Sequence, residues 1–113
     1  MENLSAEDVL HRFLLERAGV RGTLLRLGPA WREVAGRADY PPALHALLGE
    51  ALAASALLTG GIKLDGVLSI ELKSAGALRL LFAECSDQGR LRGLARWNEP
   101  LPAPLALDAL AGA

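Results

Sequence analysis

The feature that most constrains this chain is a change of hydrophobic period near residue 62. From Pro42 to Thr59, Leu44, Leu47, Leu48, Ala51, Leu52, Ser55 and Leu58 recur at spacings of three and four, the mark of a helix with one apolar face. Gly49, Ala53, Ala56 and Gly60 form a second stripe of small residues, which lets a sheet or a partner helix approach closely. Gly60-Gly61 is expected to stop the helix by taking a left-handed cap. After residue 62 the period is two. Leu68, Ile70 and Leu72 alternate with Ser69, Glu71 and Lys73; Leu78, Leu80 and Phe82 continue in a second strand; Arg90 to Trp97 makes a third. Ser74-Ala75-Gly76 and Ser86-Asp87-Gln88-Gly89 supply the turns. The pattern predicts a helix over 42–59 followed by a three-stranded antiparallel meander.

The flanks are less decisive. Ser5-x-x-Asp8 has the form of a capping box, and Val9, Leu10, Phe13, Leu14 and Arg17 fit one helical face. The same stretch also divides into two strands, Arg12–Leu15 and Thr23–Leu27, around Gly19-Val20-Arg21-Gly22. Gly28-Pro29 breaks the chain, and Pro29 suits the first position of a short helix running to about Arg37. Pro100, Pro102 and Pro104 force an extended connection. Leu105 to Leu110 has the pattern of one more helix start.

Composition narrows the function classes. The chain has 113 residues, 51% apolar and 22% charged, with a net charge of -1. That suits one globular domain and excludes intrinsic disorder. It offers no global field for nucleic acid or an anionic membrane. His45 and Glu50 interrupt the apolar stretch 43–62, so no transmembrane helix is expected there. The opening MENLSAEDVLHRF carries acids where a signal peptide needs bases. Cys85 is the single cysteine, which excludes an intrachain disulfide and a multi-thiolate metal site. One thiol fits a reducing compartment, so a soluble cytoplasmic domain is expected.

The catalytic inventory is short. His11 and His45 are the only histidines, and His45 and Glu50, five apart, do not share a helical face as a metal pair would. Cys85 ends an apolar strand and is expected to pack as a small hydrophobe, although Arg90 or Arg92 nearby are the groups that would activate it. Gly19-x-x-Gly22 and Gly60-Gly61 lack the setting and the Lys-Ser/Thr end of a phosphate loop. Arg90, Arg92 and Arg96 share a strand face that RNA would accept, but Glu71, Glu84 and Asp87 favour cross-strand ion pairing. No catalytic, cofactor or metal residue is expected, and no nucleic acid partner.

Four blocks in order carry a family resemblance. LHRFLLERAGVRGTLLRL at 10–27, YPPALHALLGEALAASALLTGGIKLDG at 40–66, LSIELKSAGALRLLFAEC at 68–85 and LRGLARW at 91–97 contain Val20-Arg21-Gly22, Leu47-Leu48-Gly49-Glu50 and Arg92-Gly93-x-Ala95-Arg96. Together they resemble the N-terminal part of Hsp33, the redox-regulated 33 kDa chaperonin family of bacteria.

The resemblance implies an α+β fold, a twisted and mainly antiparallel sheet with helices packed on it, incomplete at its C-terminal end. Residues 1–113 then form a truncated N-terminal, substrate-binding and dimerisation domain. It implies that 10–27 is two strands joined at the Ala18-Gly19 bend, and that the 42–59 helix buries its leucines on the sheet. The family's C-terminal zinc domain, with a C-x-C and a C-x-x-C pair, is absent, and Cys85 matches none of those cysteines. No cofactor and no redox switch carry over to this chain. The implied function is an ATP-independent holdase that binds unfolding proteins under oxidative or heat stress. The alternative is a dimerisation or scaffold module without chaperone activity of its own. With the rest of the family's domain missing, Leu68, Ile70, Leu72, Leu48 and Leu52 are the expected client or dimer contacts. The small-residue stripe is a second one, and a homodimer is expected.

Overall fold

A computed structural model describes residues 8–62 and 65–101. The Ser5 end of the capping-box pattern, Pro102, Pro104 and the helix start at 105–110 lie outside the described residues. The elements run β1 (Val9–Leu15), β2 (Val20–Arg26), α1 (Pro29–Ala35), α2 (Pro42–Gly61), β3 (Val67–Lys73), β4 (Leu78–Ser86) and β5 (Leu91–Trp97). The class is α+β, as expected, but the strands divide between two antiparallel sheets: the β1-β2 hairpin and the meander β3-β4-β5. The segment that also fitted a helix is the hairpin, with Gly19 at positive φ in its turn.

The leucine face of α2 lies on the meander. Leu44, Leu48, Leu52 and Ser55 are fully buried. The leucines share a core with Leu78, Leu81, Ala83 and Ala95 of the sheet and Val34 of α1. Ser55 satisfies its buried hydroxyl by donating to Leu52 O at 2.8 Å. Among the described residues α2 is the one helix long and apolar enough to cross a membrane. Its buried leucines make it the core helix of this fold.

Cross-strand pairing puts Leu68 opposite Cys85, Ile70 opposite Ala83 and Leu72 opposite Leu81, so this row shares the α2 side of the sheet. The expected alternation through Leu78, Leu80 and Phe82 is broken. A register shift between Leu78 and Leu80 keeps Leu78 in the core and sets Leu81, Ala83 and Cys85 beside it. Leu80 and Phe82, only half-buried, lie in the opposite alternation.

The helix ends differ from expectation for a physical reason. α2 runs through Gly60 and Gly61 and ends at an extended Ile62, with neither glycine in the left-handed region. The terminal carbonyl of Gly60 instead accepts from Arg12 Nε at 2.9 Å. A cation is favourable at that end of the helix dipole. α1 stops at Ala35, two residues before the expected limit. At its start the Asp8 carboxylate accepts from Gly28 N at 2.8 Å and Ala30 N at 3.2 Å. The acid of the apparent capping box thus caps a helix 20 residues away.

Both glycines of the small-residue stripe are covered from within the chain. Trp31 of α1 lies 3.3 Å from where a Gly49 Cβ would stand, and Leu10 of β1 lies 2.8 Å from the Gly60 position. This corrects its expected use as a contact for a second copy. Removing core bulk should cost far more than removing a cap. We expect Leu52→Ala to lower unfolding free energy by about 2–5 kcal/mol, and Asp8→Ala or Arg12→Ala by about 1 kcal/mol each. Urea denaturation monitored by circular dichroism checks the ranking; equal losses would contradict it.

Candidate functional site

The hairpin carries most of the uncovered apolar surface. Its pairing Leu10–Leu25, Arg12–Thr23 and Leu14–Arg21 defines one face, and His11–Leu24, Phe13–Gly22 and Leu15–Val20 define the other. The first face docks: Leu10 meets Gly60, and Arg12 binds the end of α2. The second face points away from the core. Phe13, Leu15, Val20 and Leu24 are all exposed on it, Leu24 at 61%. The Phe13 ring lies over Gly22, whose lack of a side chain makes room for it. On the docking face Leu14, beyond the end of α2, is also 56% exposed. Ile62, at the exit of α2, is also exposed and lines a concavity with Phe13 and Leu14.

The residues expected as contacts divide. Leu48 and Leu52 are fully buried, so the expectation that they meet a client or a second copy is corrected: they hold α2 to the sheet. Leu68 and Ile70 are half-buried beside α2, and Leu72 is 41% exposed at the edge strand β3. The structure does not bring this row together with the hairpin surface into one patch. The hairpin was not singled out from the sequence. Its signal was there: Phe13, Leu14 and Leu15 are consecutive, so a strand through them must be apolar on both faces.

Arg92 and Glu84 pair across β5 and β4 at 3.6 Å, and Lys73 pairs with Glu71 at 3.2 Å, so ion pairing uses part of the basic face. Lys73, Arg79 and Arg96 line a shallow depression at one end of the meander. Among the described residues no three His, Cys, Asp or Glu side chains gather as a metal-ligating group.

Cys85 is buried, as its strand position suggested, and its thiol donates to Ser86 O at 3.4 Å. Burial pushes the thiol above its ordinary pKa, and a hydrogen bond with the Thr59 side chain offsets part of the shift. At neutral pH the thiol is therefore held protonated and slow to react. We expect iodoacetamide to alkylate Cys85 more slowly in the folded chain than in urea. Because the folded pKa is raised, the thiol's contribution to stability is complete below the ordinary thiol pKa. It is lost as pH rises through the higher folded value. Stability curves of the wild type and Cys85→Ser should converge there; equal alkylation rates in the folded and unfolded chain would contradict the assignment.

Comparison with known proteins gives a consistent answer. Residues 8–112 match the family model described as Hsp33 protein. The chain is 42% identical over 106 residues to the 33 kDa chaperonin of Shewanella sp. (strain MR-4), covering 94% of this chain and 37% of the relative. It is 42% identical over 99 residues to the 33 kDa chaperonin of Chromobacterium violaceum, covering 88% and 34%. The 33 kDa chaperonin of Pseudomonas savastanoi pv. phaseolicola is 42% identical over 104 residues, covering 92% and 35%. The chain spans about a third of the length of these curated relatives. With a family match from the residue before β1 to past the end of β5, the chain belongs to the Hsp33 family.

Proposed function

We propose that this chain acts as the N-terminal domain of a holdase-type chaperone, which binds unfolding proteins without ATP and keeps them from aggregating under oxidative or heat stress. Membership of a family whose relatives are named chaperonins supports the class. The observation that carries the mechanism is the hairpin: Leu10, Phe13, Leu14, Leu15, Val20 and Leu24 are all exposed on two short strands. Fully covering one leucine or phenylalanine is worth about 1.5–3 kcal/mol, so such a surface gains by meeting the apolar segments of a non-native protein. Binding of this kind needs no reaction centre, and the proposed domain is not an enzyme.

We place it in the cytoplasm and assign it no cofactor. The zinc that the family resemblance implies does not fit the residues present: one cysteine and two histidines cannot supply four thiolates. No step of the proposed mechanism runs through zinc or through Cys85. A dimerisation or scaffold role is the second reading. It is favoured by β3 and both hairpin strands, each of which has an edge without a strand partner among the described residues. Edge pairing would make a homodimer.

Light scattering from a heat-unfolded client separates the two. The holdase reading expects suppression near equimolar ratio with no effect of ATP. Leu15→Gln combined with Leu24→Gln should require several-fold more chain for equal protection. Both residues are exposed, so stability should move by less than about 0.5 kcal/mol per site. A dimer by sedimentation that leaves scattering unchanged at large excess would favour the scaffold reading.

A further inference from the structure

Where the hairpin meets the rest of the fold there is a half-enclosed cavity of about 280 Å³. Leu10, Leu25 and Leu27 line it from the hairpin side, Ala56 from α2 and Leu91 from β5, with Cys85 in its wall. Asp8, Arg12 and Asp87 also line it, and each is engaged: Asp8 with the start of α1, Arg12 with the end of α2, and Asp87 by accepting from Gly66 N at 3.3 Å. The rest of the lining is mainly apolar. For scale, an apolar cavity of about 150 Å³ holds benzene.

Arg12 and Gly60 also border a second concavity, of about 660 Å³, on the far side of their hydrogen bond. This one is an open trough, formed where the docking face of the hairpin runs past the end of α2. Leu14, Thr23 and Ile62 line it together with Arg12 and Arg21, and no acidic side chain is among its lining residues. The apolar socket and the shallow cationic trough thus adjoin at Arg12 and Gly60, which line both.

We propose that socket and trough form one binding site for an extended polypeptide, which seats a single aromatic or leucine side chain in the socket and lays an acidic neighbour beside Arg21. The proposal rests on the chaperone reading above and deepens it by naming the class of segment recognised. Their adjacency favours a polypeptide over a free small molecule. A socket alone would serve a ring-sized compound, whereas the trough provides room and charge for the residues on either side of the anchor. Anchor pockets flanked by shallow contacts are the usual form of peptide recognition by alternate side chains. The site would prefer client segments with an apolar residue next to Asp or Glu.

The single thiol supplies the readout, because Cys85 lies in the socket wall. The probe is the capped tripeptide Asp-Phe-Asp, with Asp-Ala-Asp as its control, and the measurement is the rate of Cys85 alkylation by iodoacetamide in the full chain. At a peptide concentration about ten times its Kd, Asp-Phe-Asp should slow alkylation about tenfold, by simple occupancy. Asp-Ala-Asp should not. Ala30→Leu, which adds bulk to the socket lining from α1, should abolish the protection. Arg21→Glu, at an exposed position, should weaken Asp-Phe-Asp without affecting its neutral counterpart Asn-Phe-Asn. Ala56→Leu is a second filling variant should Ala30→Leu fail to fold by circular dichroism.

Equal protection by the Phe and Ala peptides would overturn the proposal, as would protection that survives in a folded filling variant. The aggregation assay, run on the same samples, keeps the two readings apart. Suppressed aggregation without peptide protection would sink the socket and leave the holdase. Phe-specific protection without suppressed aggregation would leave the socket and sink the holdase.

Discussion

The structure depends on three leucines of one helix falling onto small residues of one sheet. Leu44, Leu48 and Leu52 are completely buried, and the meander meets them with Ala83 and Ala95. Small side chains at the sheet centre let α2 come close enough for its leucines to fill the layer between them. Burying each leucine is worth about 1.5–3 kcal/mol, so three together reach the order of a domain's whole net stability of about 5–15 kcal/mol. Everything else attaches to this layer: α1 through Val34 and the Trp31–Gly49 contact, the hairpin through the last turn of α2.

The hairpin is held by a different kind of force. Asp8, just before β1, caps the start of α1, and Arg12 within β1 caps the end of α2. One short segment places an acid at a helix N-terminus and a base at a helix C-terminus, each matched to the local dipole. The close contact of Leu10 on Gly60 and the packing of β2 beside α2 complete the docking. Such contacts fix position but cover little surface, so the hairpin keeps its apolar side chains in water. Two-stranded hairpins are marginal on their own. Elements with few buried contacts are also the ones that open and bind most readily. The arrangement gives a rigid core beside a lightly tethered, adhesive hairpin, which suits capture of non-native chains of varied sequence.

Much of this was legible in the residues. The three-and-four spacing from Leu44 to Leu58 announced the core helix. The switch to a period of two announced the meander, because each pattern has one buried face and leaves a clean period. The hairpin was harder. Its residues satisfied a helical period and two strands equally, and only the family resemblance favoured strands. The exposed surface escaped because exposure is a property of the whole fold. Leu48 and Leu52 belong to the same composition as Leu15 and Leu24, yet the first pair is sealed under the sheet and the second faces water. The caps were illegible for a related reason: Arg12 and Gly60 are 48 residues apart, and no local pattern links them. The register shift after Leu78 likewise left the run Leu80-Leu81-Phe82 looking continuous while moving the core phase by one residue.

The central claim is that the β1-β2 hairpin, with the end of α2, is the surface that holds non-native protein. Hydrogen–deuterium exchange of the full chain, with and without an excess of a chemically unfolded client, tests it most directly. The account predicts added protection over 9–26 and 60–62, with β4 already protected and unchanged by the client. Protection confined to the meander, or none in the hairpin while aggregation is suppressed, would contradict it.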